Sequence, residues 1–281
     1  MKEEIKQELE RIRPILKRRG VVFTKYMFNS PEILYDARAE IGEDGKTHYQ
    51  RQYEHNPRRQ HQLKKTNNFF ISSVGRECIG EELTYLDVGC ADGRRTKEFM
   101  DNLERFCIID NYHAVDISPK MIEAAASVLG AENVSVADIT DLPYENRFNL
   151  ISCLFGVIGH LPEEKIQAAF DNLYKAAKPD GLVILDVEAK GEHNKGWGWT
   201  QEDERQGRKY FAYVVTDCAG NIILDDQNQP LIGTNRIFSI DELRKYAKNA
   251  GFKIREEQEI TPDADIDDMF FGAAYALVLQ K

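Results

Sequence analysis

The segment LTYLDVGCADG, residues 83–93, decides the fold. Its first six residues form a short apolar run suited to a strand buried on both faces. The chain then enters a glycine-bearing turn, and a helical segment follows around residues 94–105. A strand turning sharply into a helix brings backbone N–H groups and a helix N-terminus to the carboxyl edge of a sheet. Open α/β folds bind their ligands at that edge. Gly89 lets the chain approach a ligand closely, and Gly93 lets the next helix pack tightly. The spacing is Gly-x-x-x-Gly, so both the GxGxxG fingerprint of NAD or FAD and the GxxxxGK[ST] phosphate loop are missing.

Outward from this turn, strands and helices alternate. HAVDI (113–117) predicts a second strand, followed by SPKMIEAAASVLG, in which Ser118 caps a helix and Pro119 sits in its first turn. VSVADI (134–139) and FNLISCLF (148–155) predict two more strands, Pro162 opens a helix to about residue 178, and GLVILDVE (181–188) is a fifth strand. After a break the alternation resumes with a helix capped by Ser239 and stopped by Gly251, then FKIREEQEI and YALVLQK. This order predicts an open, mostly parallel sheet with helices on both faces.

The break, 189–238, starts with GEHNKGWGW and continues to YFAYVV and IILDD around a TDCAGN turn, which predicts an inserted antiparallel hairpin. Ahead of the core, Ile5, Leu9, Ile12 and Leu16 mark one face of an amphipathic helix ending near Gly20. A second helix is predicted over 58–80, burying Leu63, Phe69, Phe70 and Val74. The expected organisation is an N-terminal helical cap or lid (1–80), a ligand-binding core (81–188), an insertion (189–238) and a last helix with two strands (239–281).

Charge divides along the same line. The 281 residues carry 37 Lys and Arg against 47 Asp and Glu, a net charge of −10. Residues 1–66 are net +5, which leaves −15 on the remainder. A dominant nucleic-acid footprint tips the balance the other way, yet the basic stretch YEHNPRRQHQLKK keeps such a partner in view. The five cysteines (Cys78, Cys90, Cys107, Cys153, Cys218) show neither zinc nor disulfide spacing, and no metal site is expected. No run of 18 apolar residues exists to span a membrane, and MKEEIKQELERIRPILKRRG lacks the apolar core of a signal peptide. A reducing cytoplasm is the expected compartment.

The predicted strand ends carry the chemistry. Asp116 ends the second strand, 23 residues beyond Gly93, where a carboxylate accepts two hydrogen bonds from a ribose diol. Asp138 ends the third, where it accepts from an adenine amino group. Three glycine- or acid-bearing strand ends in order describe a nucleoside site without a phosphate cradle.

In these segments the sequence resembles the class I S-adenosylmethionine-dependent methyltransferases. The resemblance covers about 80–190 and rests on Asp87-Val-Gly-Cys-Ala-Asp-Gly93, Val115-Asp-Ile117, Ala137-Asp-Ile139, Phe148-Asn-Leu-Ile-Ser152 and Lys178-Pro-Asp-Gly181. It implies a Rossmann-like, doubly wound, seven-stranded sheet and S-adenosyl-L-methionine as cofactor. It also implies that Asp87, Gly89, Cys90 and Gly93 face the methionine moiety. Asp116 holds the ribose hydroxyls, Asp138 and Ile139 flank the adenine, and Ile117, Met121, Leu154 and Phe155 complete the cofactor site. Relatives close over the methionine end with an aromatic or basic residue ahead of the core, a place matched by Tyr49, Tyr53 and Arg59. Two positions depart from the pattern. Ala91 replaces the middle glycine, which a negative φ would accommodate, and Asn149 replaces the usual aspartate of the fourth strand.

The resemblance implies in-line methyl transfer to an O or N atom, a reaction that rests on alignment and exclusion of water. A hydroxyl acceptor needs a base, and His160 in FGVIGHLP stands at the ligand edge as candidate, the alternative being a residue that packs against the following helix. His193, Trp197, Trp199 and Tyr213 either wall an acceptor pocket or form the insertion's own core. Cys90 and Cys153 carry no mark of a nucleophile. The leading expectation is a small-molecule or metabolite acceptor. An RNA methyltransferase acting on a cap or a tRNA base is the alternative, and a non-catalytic cofactor-binding scaffold is a third.

Overall fold

The computed structural model describes residues 31–39, 41–42, 45–47, 49–51, 57–189, 198–203, 208–214, 232–261 and 273–281. The helix expected over residues 5–16 lies outside these. Helix α1 is Pro31–Arg38, and α2 is Pro57–Glu77, close to the predicted 58–80. Strand β1, Glu82–Val88, leads to α3, Arg94–Leu103, then β2, Ile108–Asp116, and α4, Pro119–Leu129. Strands β3, Val134–Val136, and β4, Phe148–Cys153, precede α5, Glu163–Ala176, and β5, Ala177–Glu188.

Strands β6 (Gly198–Asp203), β7 (Arg208–Val214) and β8 (Ile232–Ile237) follow, then α6 (Ile240–Ala250), β9 (Lys253–Ile260) and β10 (Ala274–Gln280). Helix α6 is closed at both ends as its sequence predicts. Ser239 and Glu242 form a reciprocal capping box, and Gly251 takes a left-handed φ of 102°.

Seven strands form one sheet in the order β3-β2-β1-β4-β5-β10-β9. Strands β1 to β5 pair in parallel, and β10 runs antiparallel to both β5 and β9. The direction of winding reverses between β1 and β4, and the crevice at that point is where a ligand belongs. Alternate residues of each strand serve opposite faces. Leu86 and Val88 of β1 join Phe170, Leu173 and Leu243 of α5 and α6, whereas Leu83 and Tyr85 join Phe70, Phe99, Leu103 and Ala125 of α2, α3 and α4. The apolar runs of β1, β5 and β10 are therefore buried on both sides, as expected of strands in a doubly covered sheet.

Two expectations change. The third strand stops at Val136, because the Asp138 carboxylate accepts from Thr140 N at 2.8 Å and starts a 3-10 turn, Ile139–Asp141. The insertion is present as a separate antiparallel sheet in the order β6-β7-β8. YFAYVV supplies most of β7, but its described partners are GWTQED and IGTNRI; the expected partner IILDD lies outside the described residues. Both actual partners are polar, so only pairing with β7 makes them strands.

Candidate active site

The turn after β1 is drawn against β2: Gly89 N and Cys90 N both donate to Val115 O, at 2.7 and 3.0 Å. Gly89 has φ 83°, and a Cβ there would lie 2.3 Å from Val157 Cγ2, so any side chain would fill the crevice. Gly93 (φ 77°) serves packing, since its Cβ would meet Leu129 Cδ1 at 2.9 Å. Ala91 departs from expectation. Its φ is 46°, left-handed rather than negative, a conformation that costs an alanine about 1–2 kcal/mol. Ala91 N donates to Asp116 Oδ2 at 2.9 Å, which helps to hold it there.

Asp116 is 5% exposed, and its other oxygen accepts from Ser118 N at 2.9 Å. Burial pushes its carboxyl up to about 6, against the backbone hydrogen bonds that favour ionisation. Asp138 goes the other way. Burial would raise it, but the Thr140 backbone and hydroxyl, with the Lys165 ammonium, hold it below the ordinary carboxylate value. Asp87, near the end of β1, is buried, and Ser152 Oγ and Thr96 Oγ1 each donate to it at 2.5 Å. Burial still raises its pKa. Asn149, in place of an acid, accepts from Thr84 N, Thr84 Oγ1 and Lys178 Nζ and so ties β1 to β4.

These groups line two adjoining chambers. The larger is bounded by Gly89, Asp116, Ile117, Asp138, Ile139 and Leu154, with Tyr35, Tyr49, Phe155, Val157 and His160 closing it. The smaller shares Gly89, Leu154 and Phe155 with it and is lined by Asp87, Cys90, Arg95, Thr96 and Asn67. His160 ends the 3-10 turn Val157–His160, nearly buried, with its ring edge-on to Tyr35 at 5.5 Å between centroids. Helix α1 is fastened over the chambers by Asp36, whose Oδ1 accepts from Ser118 Oγ at 2.5 Å, and Thr47 Oγ1 donates to Asp92 at 2.9 Å.

Of the residues singled out in the sequence, Asp87, Gly89, Cys90, Asp116, Ile117, Asp138, Ile139, Leu154, Phe155 and His160 meet at these chambers. Gly93 packs beneath them. Met121 is fully buried with Ala39, Tyr49, Leu63 and Ala91, and lines neither chamber. Tyr53, His193 and Trp197 lie outside the described residues, and of Arg59 only its place in the first turn of α2 is described. Burial pushes the Cys90 and Cys153 thiols well above their usual range, which keeps them protonated. No group of metal-ligating side chains occurs among the described residues.

Sequence reasoning missed Tyr35, Asp36, Asn67 and Asp186. The first two lie in a stretch without periodicity, and Asn67 sits within a helix that reads only as amphipathic. Asn67 is 7% exposed, and its Oδ1 has no hydrogen-bond partner among the described residues, although it lines the smaller chamber. A buried orphan acceptor facing a cavity marks a place for a donor. With the Gly89 cradle and the Asp116 carboxylate, it fits a nucleoside that carries a cationic amino group.

Residues 86–181 match the family model of a methyltransferase domain. The chain is 26% identical over 162 residues to the tRNA (carboxymethyluridine(34)-5-O)-methyltransferase of Arabidopsis thaliana, covering 56% of this chain and 35% of that one. It is 22% identical over 117 residues to the dTDP-3-amino-3,6-dideoxy-alpha-D-glucopyranose N,N-dimethyltransferase of Streptomyces fradiae, covering 41% and 44%. The chain thus spans less than half the length of either curated relative. The N-methyltransferase NodS of Bradyrhizobium japonicum, solved with S-adenosylhomocysteine, shares the fold at a TM-score of 0.52 and 14% identity, over 90% of this chain and 99% of that one. Residues 86–181 thus carry a methyltransferase domain, set within a seven-stranded sheet of the order β3-β2-β1-β4-β5-β10-β9.

Proposed function

We propose that this protein is an enzyme that uses S-adenosyl-L-methionine to methylate an O or N atom of a small-molecule acceptor. The observation that carries the reading is the pair of chambers. Carboxylates at the end of β2 and just beyond β3 line a cleft with Tyr35, Tyr49 and His160. The NodS complex, with a product-type nucleoside in a protein of the same fold, supports the cofactor.

Asp116 holds the ribose hydroxyls, Ile117, Ile139 and Leu154 sandwich the base, and Asp138 accepts from its amino group. Asp87 and Asn67 supply acceptors, and Arg95 a cation, for the amino-acid end. When bound, the cofactor supplies an activated methyl group on a sulfonium sulfur. Little remains for the chain beyond alignment, removal of water and removal of a proton. Tyr35 and Tyr49 exclude water from above, and His160 Nδ1 or Nε2 takes the proton of a hydroxyl or ammonium acceptor. The segments ahead of the core act as lid, and the β6-β7-β8 sheet shapes the acceptor's entrance.

A second reading, RNA as acceptor, is favoured by the Arabidopsis relative, whose name specifies a tRNA uridine, and by the basic 57–65 stretch. The deciding experiment supplies methyl-labelled cofactor with separate metabolite, RNA and protein pools. Label in a small molecule, lost in His160→Ala, is the expected result. Label in RNA moves the assignment to the second reading, and failure of the chain to bind S-adenosylhomocysteine in calorimetry removes both.

A further inference from the structure

The turn that carries His160 closes on its own backbone, Gly159 N donating to Gly156 O at 2.9 Å, but it is entered through two left-handed residues. Phe155 and Gly156 both lie in the left-handed region, at φ 66° and 76°, immediately after β4. Gly156 opens the 3-10 turn with no side-chain cap. Gly156 adopts that region freely, but Phe155 does so only with support from its surroundings. On one side β5 gives it, since Asp186 Oδ1 accepts from Phe155 N at 2.6 Å.

On the other side stands β8, the last strand of the inserted sheet. The Asn235 amide reaches between Gly156 and Gly159. A Cβ at Gly156 would lie 2.6 Å from Asn235 Nδ2, and one at Gly159 only 1.6 Å from Oδ1. Asn235 Oδ1 is buried without a hydrogen-bond partner among the described residues, so the amide sits there by shape. The next residue anchors the strand. Arg236 is 1% exposed, bonds Glu163 at 2.6 Å and Glu242 at 2.5 Å, and lies over the Phe238 ring at 4.4 Å. Glu163 begins α5, three residues past His160. The same strand thus grips the turn and the helix into which the turn leads.

We propose that Asn235 is a positioning residue for His160: by wedging against Gly156 and Gly159, the inserted sheet sets where the imidazole stands in the cleft. This makes the insertion part of the reaction geometry. An acceptor that displaces β8 displaces the histidine as well. The inference rests on the proposed role of His160. Failure of that role shows as equal turnover by wild-type and His160→Ala chains, whereas failure of the positioning inference shows in spectra that need no acceptor.

The test follows the His160 ring signals by NMR in the full chain saturated with S-adenosylhomocysteine, assigned by their loss in His160→Gln. The wild type should show a nuclear Overhauser contact from His160 to Tyr35, the ring it meets edge-on. In Asn235→Ala this contact should be lost and the His160 titration moved, while His113, held by Ser135 on the far strands, keeps its signals as proof of folding. Gly159→Ala should have the same effect through its clash with Asn235. Combining the two should bring the contact back toward wild type, because the new methyl then occupies the space the amide filled, its nearest remaining neighbour being Arg236 N at 3.4 Å. The proposal is overturned if Asn235→Ala leaves the His160 contact and titration unchanged. It is also overturned if the double variant is no closer to wild type than Gly159→Ala alone.

Discussion

Replacing Asp116 by asparagine should separate binding from stability in opposite directions. The carboxyl is moved from 3.8 to about 6 by burial, so holding it ionised at pH 7 costs the folded chain about 3 kcal/mol relative to the unfolded one. Asparagine removes that penalty. It also turns an amide N–H₂ toward either Ala91 N or Ser118 N, each of which now has an acceptor at 2.9 Å, and an orphaned donor costs about 1–3 kcal/mol. The two nearly cancel, so the melting temperature of the ligand-free chain should stay level or rise slightly. Binding has no such compensation. Two ribose hydroxyls lose a charged acceptor for a neutral one, about 2–3 kcal/mol together, or roughly 30- to 150-fold in affinity for S-adenosylhomocysteine.

The pH dependence carries its own sign. The folded chain keeps a proton on Asp116 between pH about 4 and 6 that the unfolded chain has lost. Wild-type stability therefore falls as pH rises through that window, and the asparagine variant lacks this component. Affinity runs the other way, rising toward pH 7 as the acceptor ionises. Calorimetry from pH 5 to 8 with parallel thermal melts reads all of this. The reasoning is refuted if the variant binds within about threefold of wild type, or if its stability falls along with its affinity.

Three further outcomes follow from the same geometry. Gly89→Ala imposes a left-handed alanine and a clash with Val157, so unfolding in denaturant should show a loss of about 2–4 kcal/mol together with loss of S-adenosylhomocysteine binding. Arg236→Met strands Glu163 and Glu242 around an apolar side chain and should cost about 3–5 kcal/mol in the same assay; a loss below 1 kcal/mol would show the buried pairs to be immaterial. Asp36→Asn weakens the fastening of α1 to Ser118 and Lys120 by about 1–2 kcal/mol, so stopped-flow dissociation of S-adenosylhomocysteine should quicken roughly five- to thirtyfold with little change in melting temperature.

Much of the core was legible because its signals are local. The run 83–88, the Ser118 and Ser239 caps and the Gly251 stop each announce an element through a few neighbouring residues, and Asp116 and Asp138 fall at predicted strand ends. The strands of the insertion were harder. GWTQED and IGTNRI carry no alternation of their own and become strands only against β7. The backbone of Ala91 was likewise beyond reach, since a left-handed φ there reflects a bond to Asp116, 25 residues away.

By itself, then, the sequence determined an alternating α/β core with a glycine- and acid-bearing edge, because apolar periodicity, caps and glycine turns act over a few residues. Only the tertiary structure decided what closes that edge. Tyr35 meets His160, Asp36 meets Ser118, and Asn235 fills the space between Gly156 and Gly159. Each of these contacts joins residues about 75 to 125 apart in the chain, where sequence spacing carries no distance information and burial alone selects the partner.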